Sequence, residues 1–173
     1  MALGSVRVDG SDCKGFSTPD TGPYGKNIVL TFDDGPHPTY TRQIMEVLRK
    51  HNAPATFFMA GNNVKRYPDI VKEIIDDPNF LIAHHSWSHP KLTASTWQGR
   101  RVDMDAQLDD TLNAFAELGA KPKYFRPPFG EQNCTLKAKV EERGMTSMGW
   151  DVDTNDWKGS FDNAMWTQLA RRE

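Results

Sequence analysis

Two carboxylates stand side by side at Asp33 and Asp34, directly after the apolar run Val29 to Phe32 in VLTFDDGPHPT. Like charges at the end of a buried strand repel each other and lose hydration, so the pair requires a positive partner. Further ionisable clusters follow: His84, His85 and His89 in AHHSWSHP, Arg126 in YFRPPFG, and Asp151, Asp153 and Asp156 in GWDVDTNDW. His85 and His89 are four apart, a spacing that sets both imidazoles on one face of a helical turn. Such a pair is weak evidence alone. Joined by one carboxylate it forms a common ligand set for catalytic zinc and leaves a coordination position open. A divalent cation is also the positive partner that the Asp pair demands. If Asp34 ligates the ion, Asp33 is free to take a proton from the attacking water. Arg126 would then hold Asp33 by a charge-assisted pair. The plainer alternative makes Asp33 to Gly35 an ordinary turn and Arg126 an ion-pair partner only. Four clusters delivered to one rim weigh against it.

The elements that must position these groups alternate in type. Apolar runs at 28–32, 55–60, 80–83, 123–125 and 145–150 read as strands. Between them, Ile44, Val47 and Leu48 have helical spacing after Thr41, read as an N-cap. Ile70, Val71, Ile74 and Ile75 repeat the pattern after Pro68. Leu108, Leu112 and Phe115 mark a longer helix with Gly119 at its left-handed C-cap, and Leu136 and Val140 mark another closed by Gly144. Met165 and Leu169 suggest a last helix. Strand and helix in alternation imply parallel pairing, in either an open doubly wound sheet or an incomplete βα barrel. Both place chemistry at the C-terminal strand ends, where the clusters fall.

The motifs carry a resemblance. TFDDG (Thr31 to Gly35), HSWSH (His85 to His89), RPPFG (Arg126 to Gly130) and DW (Asp156, Trp157) resemble, in order, the first four motifs of the NodB-homology polysaccharide deacetylases, carbohydrate esterase family 4. The resemblance implies an α/β fold, a deformed (β/α) barrel, and metal-dependent removal of N-acetyl groups from chitin, chitooligosaccharide or peptidoglycan. It implies Asp33 as catalytic base, Arg126 as its orienting partner, and Asp34, His85 and His89 as ligands of one divalent ion, zinc first and cobalt or nickel as alternatives. The backbone N–H of Phe129 would help hold the oxyanion, where the family more often has tyrosine. Trp157 would wall the sugar groove, and Asp156 would tune the imidazole of a C-terminal Leu-x-His motif that supplies the acid.

That fifth motif has no counterpart here. The five histidines are His37, His51, His84, His85 and His89, and none follows Trp157. His37 reads as a loop residue rather than a substitute acid. The expectation is a barrel incomplete at its C-terminus, its remainder either supplied by a second polypeptide or lost by cleavage. Two other readings stay open: a non-catalytic carbohydrate-binding relative, and an O-acetyl esterase acting on acetylxylan.

The whole chain sets outer bounds. Its 173 residues suit one domain, with 1–26 a Gly- and Pro-containing surface arm and 27–173 the deacetylase-like unit. With 21 Lys and Arg against 23 Asp and Glu, it lacks the footprint of a nucleic-acid binder. No run approaches the roughly 18 apolar residues of a membrane span, and no signal-peptide core is visible. Secretion or a cell-envelope location is implied by the resemblance alone. Cys13 and Cys134 are read as free thiols or as a disulfide at even weight, with pairing outside the chain as a further alternative.

Overall fold

In the computed structural model the described residues are Cys13, Phe16 and 28–158. The rest of the expected arm and the helix expected around Met165 and Leu169 lie outside them. The backbone is built around a five-stranded parallel sheet of β1 (Leu30–Gly35), β2 (Ala55–Met59), β3 (Phe80–His84), β6 (Tyr124–Phe125) and β7 (Thr146–Ser147), in the order β1-β2-β3-β6-β7. The order follows the chain without a reversal. A doubly wound sheet reverses at a switch point, so this winding is that of the barrel alternative.

Between the strands run α1 (Tyr40–Lys50), α2 (Gly61–Arg66), α3 (Pro68–Ile75), α4 (Met104–Ala116) and α5 (Cys134–Glu142). A hairpin of β4 (Thr96–Trp97) and β5 (Arg100–Arg101) precedes α4. Neither α2 nor the hairpin was expected from the sequence. α2 is a six-residue GNNVKR segment with one apolar side chain, too short to show periodicity.

All five residues of β2 are buried, as befits a strand covered on both faces. Alternation sends Phe57 and Met59 toward the helices, where they pack with Met45, Leu48, Val64, Ile70, Val71, Ile74 and Phe115. It sends Phe58 to the opposite face with Ala83 and Met148. A further cluster of Leu92, Leu108, Phe125, Leu136, Val140 and Met145 seats α4 and α5 against the later strands. Each such fully buried side chain contributes about 1.5–3 kcal/mol.

Several boundaries move. β1 starts at Leu30, leaving Ile28 and Val29 exposed, and continues through both aspartates to Gly35, which pairs with Met59 across a bulge. The fourth expected strand narrows to Tyr124–Phe125, and the run at 145–150 keeps only Thr146–Ser147. Beyond them Gly149 turns its carbonyl to the Arg126 side chain. Thr41 is not the cap of α1 but a buried residue of its first turn, whose hydroxyl accepts from the His37 N–H at 2.8 Å. His37 does the capping: its Nδ1 accepts from the N–H groups of Thr39 and Tyr40 at 3.2 Å each. This ties His37 to the helix start, in keeping with a loop role. Asp103 and Asn133 cap α4 and α5, and Gly119 and Gly144 both take φ +73°, as left-handed C-terminal glycines do.

Cys13 and Cys134 form a disulfide across 121 residues, which removes the free-thiol reading and ties Cys13 to the first residue of α5. Among the described residues no helix is long and apolar enough to cross a membrane.

His84 sits at the end of β3 and is wholly buried, tilted against Phe125. Its Nδ1 accepts from the Ser86 N–H, and its Nε2 lies 3.0 Å from the Leu108 carbonyl, so the neutral Nε2–H tautomer satisfies both contacts. Burial pushes its pKa down from 6.5 to about 4. Between those values the unfolded chain binds a proton that the folded chain refuses. Stability therefore falls as pH drops through this window, by up to about 1.4 kcal/mol per pH unit. Urea midpoints measured in chelator should decline from about pH 7 to about pH 5, and a flat profile would contradict a neutral buried His84.

Candidate metal centre

The rim residues are set by the ends of β1, β3 and β6. Asp33 and Asp34 occupy the bulge of β1, and Asp34 takes a left-handed φ of 66°. Regular strand alternation would send adjacent side chains to opposite faces, whereas here both carboxylates end within 4.0 Å of His85 Nε2. His85 follows β3, with its N–H bonded to the Met59 carbonyl at 3.0 Å. His89 closes a loop rather than a helical turn: Ser86 and His89 are both left-handed, at φ 62° and 56°. The i, i+4 spacing thus converges through irregular backbone, not through the helix that the spacing suggests. Non-glycine residues in this region cost about 1–3 kcal/mol each and collect at functional sites.

Asp34 Oδ1 lies 3.3 Å from His85 Nε2 and 3.4 Å from His89 Nε2. The three donor atoms lie within 4.8 Å of one another. Ligands about 2.0–2.1 Å from a tetrahedral zinc stand roughly 3.3–3.4 Å apart, which the two distances from Asp34 match. The tautomer fits too. His85 Nδ1 is 2.7 Å from the Arg126 carbonyl, which takes its proton and leaves the Nε2 lone pair facing Asp34. His85 is buried, His89 is partly open, and the Asp34 side chain is 70 % exposed, so the cluster is accessible from one side. Without a cation, a proton on His85 Nε2 makes that nitrogen a donor to Asp34, and this hydrogen bond holds Asp34 below the usual carboxylate range; with an ion in place the same nitrogen offers its lone pair instead. Burial lowers the pKa of His89. Both shifts keep the groups in the ligating forms, carboxylate and neutral imidazole.

Asp33 is held apart from this cluster. Its Oδ1 accepts from Arg126 Nη1 at 2.7 Å, and its Oδ2 stays 4.0 Å from His85 Nε2. Arg126 is itself fixed on several sides. Nη1 also donates to Thr31 Oγ1 at 2.9 Å, Nη2 donates to the Gly149 carbonyl at 2.7 Å, and the guanidinium lies 4.0 Å over the Phe58 ring. Its buried Nε has no partner among the described residues.

Phe129 belongs to a 3₁₀ turn, Pro128–Gly130, at φ 61°. Its ring meets His89 edge-on at 4.6 Å and Trp97 at 5.1 Å, which sets this turn and the hairpin beside the metal cluster. Its N–H donates to no group among the described residues.

Asp151, Asp153, Asp156 and Trp157 stand apart. Asp156 begins an exposed 3₁₀ turn, Asp156–Lys158, and accepts from the Thr154 hydroxyl at 2.7 Å. Trp157 is 71 % exposed, with its indole N–H 3.4 Å from Asp153 Oδ2. Among the described residues no contact joins this turn to Asp34, His85 or His89. Asn63 and Gln107 were absent from the sequence reading, and Thr31 entered it only as the first residue of TFDDG, with no role of its own. Asn63 Nδ2 donates to the Asp34 carbonyl at 3.0 Å, and Gln107 bonds to the loop that carries His89. Polar residues on a strand face or helix surface offer no sequence signal of such contacts.

A parallel βα sheet wound in chain order, with a two-His, one-Asp cluster and a separately clamped carboxylate at its rim, defines a barrel-type α/β site suited to one divalent ion. The comparisons with known proteins say whose it is. The profile of the polysaccharide deacetylase family matches residues 21–148. The peptidoglycan-N-acetylglucosamine deacetylase of Bacillus cereus is 39% identical over 140 residues, covering 80% of this chain and 50% of that protein. A chitooligosaccharide deacetylase of Rhizobium leguminosarum bv. trifolii is 33% identical, covering 80% of this chain and 62% of that one. Among solved structures, a family 4 carbohydrate esterase from Streptomyces lividans in complex with acetate superposes with a TM-score of 0.73 at 35% identity, covering 84% and 73% of the two chains. The chain belongs to the polysaccharide deacetylase family, carbohydrate esterase family 4, and has its deformed (β/α)-barrel type of fold. It spans about half the length of the Bacillus cereus relative.

The geometry sets the two aspartates in different surroundings, Asp34 beside two imidazoles and Asp33 on Arg126. His89→Ala should weaken zinc binding at least about 100-fold, whereas Asp33→Asn should leave it within about threefold, read by competition with a chromophoric chelator. Equal losses in the two variants would contradict the separation.

Proposed function

We propose that residues 27–173 carry the metal and base of a deacetylase domain that hydrolyses N-acetyl groups on an N-acetylglucosamine-containing polysaccharide, with zinc as the ion. The observation that carries this reading is the split geometry of the Asp pair: Asp34 3.3–3.4 Å from two imidazoles, Asp33 clamped by Arg126 just beside them. When bound, the ion supplies Lewis acidity that makes water nucleophilic at neutral pH and polarises the acetyl carbonyl.

The protein's own groups then have defined tasks. Asp33, oriented by Arg126, takes the proton of the attacking water as its oxygen adds to the acetyl carbon. The Phe129 N–H donates to the carbonyl oxygen as it gains negative charge. Because this contact comes from the main chain, phenylalanine in place of tyrosine leaves it intact. The C–N bond breaks as the sugar nitrogen takes a proton from solvent and leaves as the amine; the proton held by Asp33 returns to solvent, and the acetic acid released ionises to acetate. Trp157 and Asp156, exposed on their turn, are assigned to the substrate groove and to the family's acid-tuning position by their motif alone.

The named relatives act on peptidoglycan and on chitooligosaccharide, and both remain candidate polymers here. The disulfide favours an oxidising, extracytoplasmic setting, in line with a secreted or cell-envelope enzyme.

Acetate release from an N-acetylglucosamine oligomer tests the proposal. Zinc-loaded protein should release acetate, chelator should abolish release, and Asp33→Asn should lower kcat by about 100- to 10,000-fold. Oligomer binding without turnover would replace the enzyme reading with a carbohydrate-binding one. Turnover of acetylxylan alone would replace it with O-acetyl esterase activity.

A further inference from the structure

The loop from Ser86 to His89 holds two left-handed, non-glycine residues and so cannot keep its shape by local preference. Two clamps from elsewhere in the fold grip it. The first is the N-terminus of α2, where the Gly61 N–H donates to the Ser86 carbonyl at 2.9 Å and the Asn62 N–H donates to the Trp87 carbonyl at 3.0 Å. Gly61 permits this approach, because a Cβ there would fall 2.6 Å from the Trp87 ring and 2.4 Å from Thr111 Oγ1. The second is one side chain of α4. Gln107 Oε1 accepts from the N–H groups of Trp87 and Ser88, at 3.0 and 2.9 Å, and its Nε2 is 3.0 Å from Ser88 Oγ. Two amide donors facing one oxygen fix the orientation of the Gln107 carboxamide.

The clamps act unequally on the two imidazoles. His85 is held by its own N–H bond to Met59 and by its Nδ1 contact with the Arg126 carbonyl. His89 has neither. Its N–H bonds to Ser86 Oγ at 3.0 Å within the loop, and its ring rests edge-on against Phe129. The direction of His89 therefore depends on the path of residues 86–88, which Gln107 grips at two consecutive peptide groups.

From this we infer that Gln107 is a positioning residue for the metal centre, acting on His89 through the backbone of Trp87 and Ser88. The inference rests on the proposed ligand role of His89. An amide or carboxylate oxygen at position 107 meets the requirement; a hydrocarbon of similar size does not.

Zinc affinity, measured by competition with a chromophoric chelator, separates this role from general stabilisation. Gln107→Leu should weaken zinc binding about 10- to 100-fold, less than His89→Ala does. Gln107→Glu keeps an acceptor for both N–H groups and should bind within about threefold of wild type. Arg143→Leu serves as the stability control, since it removes the ion pairs from Arg143 on α5 to Asp105 and Asp109 on α4, and should lower the metal-free melting temperature with zinc affinity unchanged. Undiminished binding in Gln107→Leu, or equal loss in Gln107→Glu, would overturn the inference while leaving the metal site standing. So would an Arg143→Leu variant that loses zinc in step with its stability. A wild-type protein that takes up no zinc would overturn the metal-site reading and this inference with it.

Discussion

Two adjacent carboxylates at one strand end repel each other, and the molecule keeps them apart by pairing one with a guanidinium and turning the other toward solvent and two imidazoles. Arg126 draws Asp33 to 2.7 Å, while the left-handed turn at Asp34 swings the second carboxylate to within 3.4 Å of two imidazoles. The two neighbours end in different surroundings: Asp34 lies beside two imidazoles with which it can hold a cation, and Asp33 is held on a guanidinium. The same Arg126 joins the two halves, because its side chain holds Asp33 and its backbone carbonyl orients His85.

The fold supplies what the separation needs. Parallel strands wound in chain order bring the ends of β1, β3 and β6 together at one rim, and the buried β2 between β1 and β3 fixes their spacing. Backbone strain at Asp34, Ser86, His89 and Phe129 is concentrated at that rim and is held by contacts from α2, α4 and the sheet. At the opposite end of the order, α5 and its C-cap are fastened to α4 by Lys139 and Arg143, and Cys134 is joined to Cys13 by the disulfide. The residues that bear the chemistry are few, and the contacts that hold them come from many elements.

Much of the site was legible in the sequence because its residues are of rare type in fixed spacing. Aspartates after an apolar strand, a histidine pair and an RPP arginine announce themselves without coordinates. The strands were legible where apolar runs are continuous, as in β2, and misjudged where function interrupts them, as in β1, whose last residues are charged. His84 shows the limit on the other side. It stands in the same motif as the ligands, yet burial and two hydrogen bonds make it part of the core. Gln107 and Asn63 were invisible because a single polar residue on a helix has no periodic or motif signature, and Thr31, though inside TFDDG, showed no sign of its contact with Arg126. Their importance appears only when the chain brings distant segments within hydrogen-bonding range. The state of Cys13 and Cys134 belongs to the same class, since a separation of 121 residues says nothing of proximity.

Anomalous scattering from a zinc-soaked crystal, collected on both sides of the zinc edge, tests the central claim most directly. The account predicts one strong peak about 2.0–2.2 Å from Asp34 Oδ1, His85 Nε2 and His89 Nε2. Asp33 should remain on Arg126, outside bonding distance of the ion. A peak elsewhere on the protein, or one in which Asp33 replaces an imidazole as ligand, would contradict it.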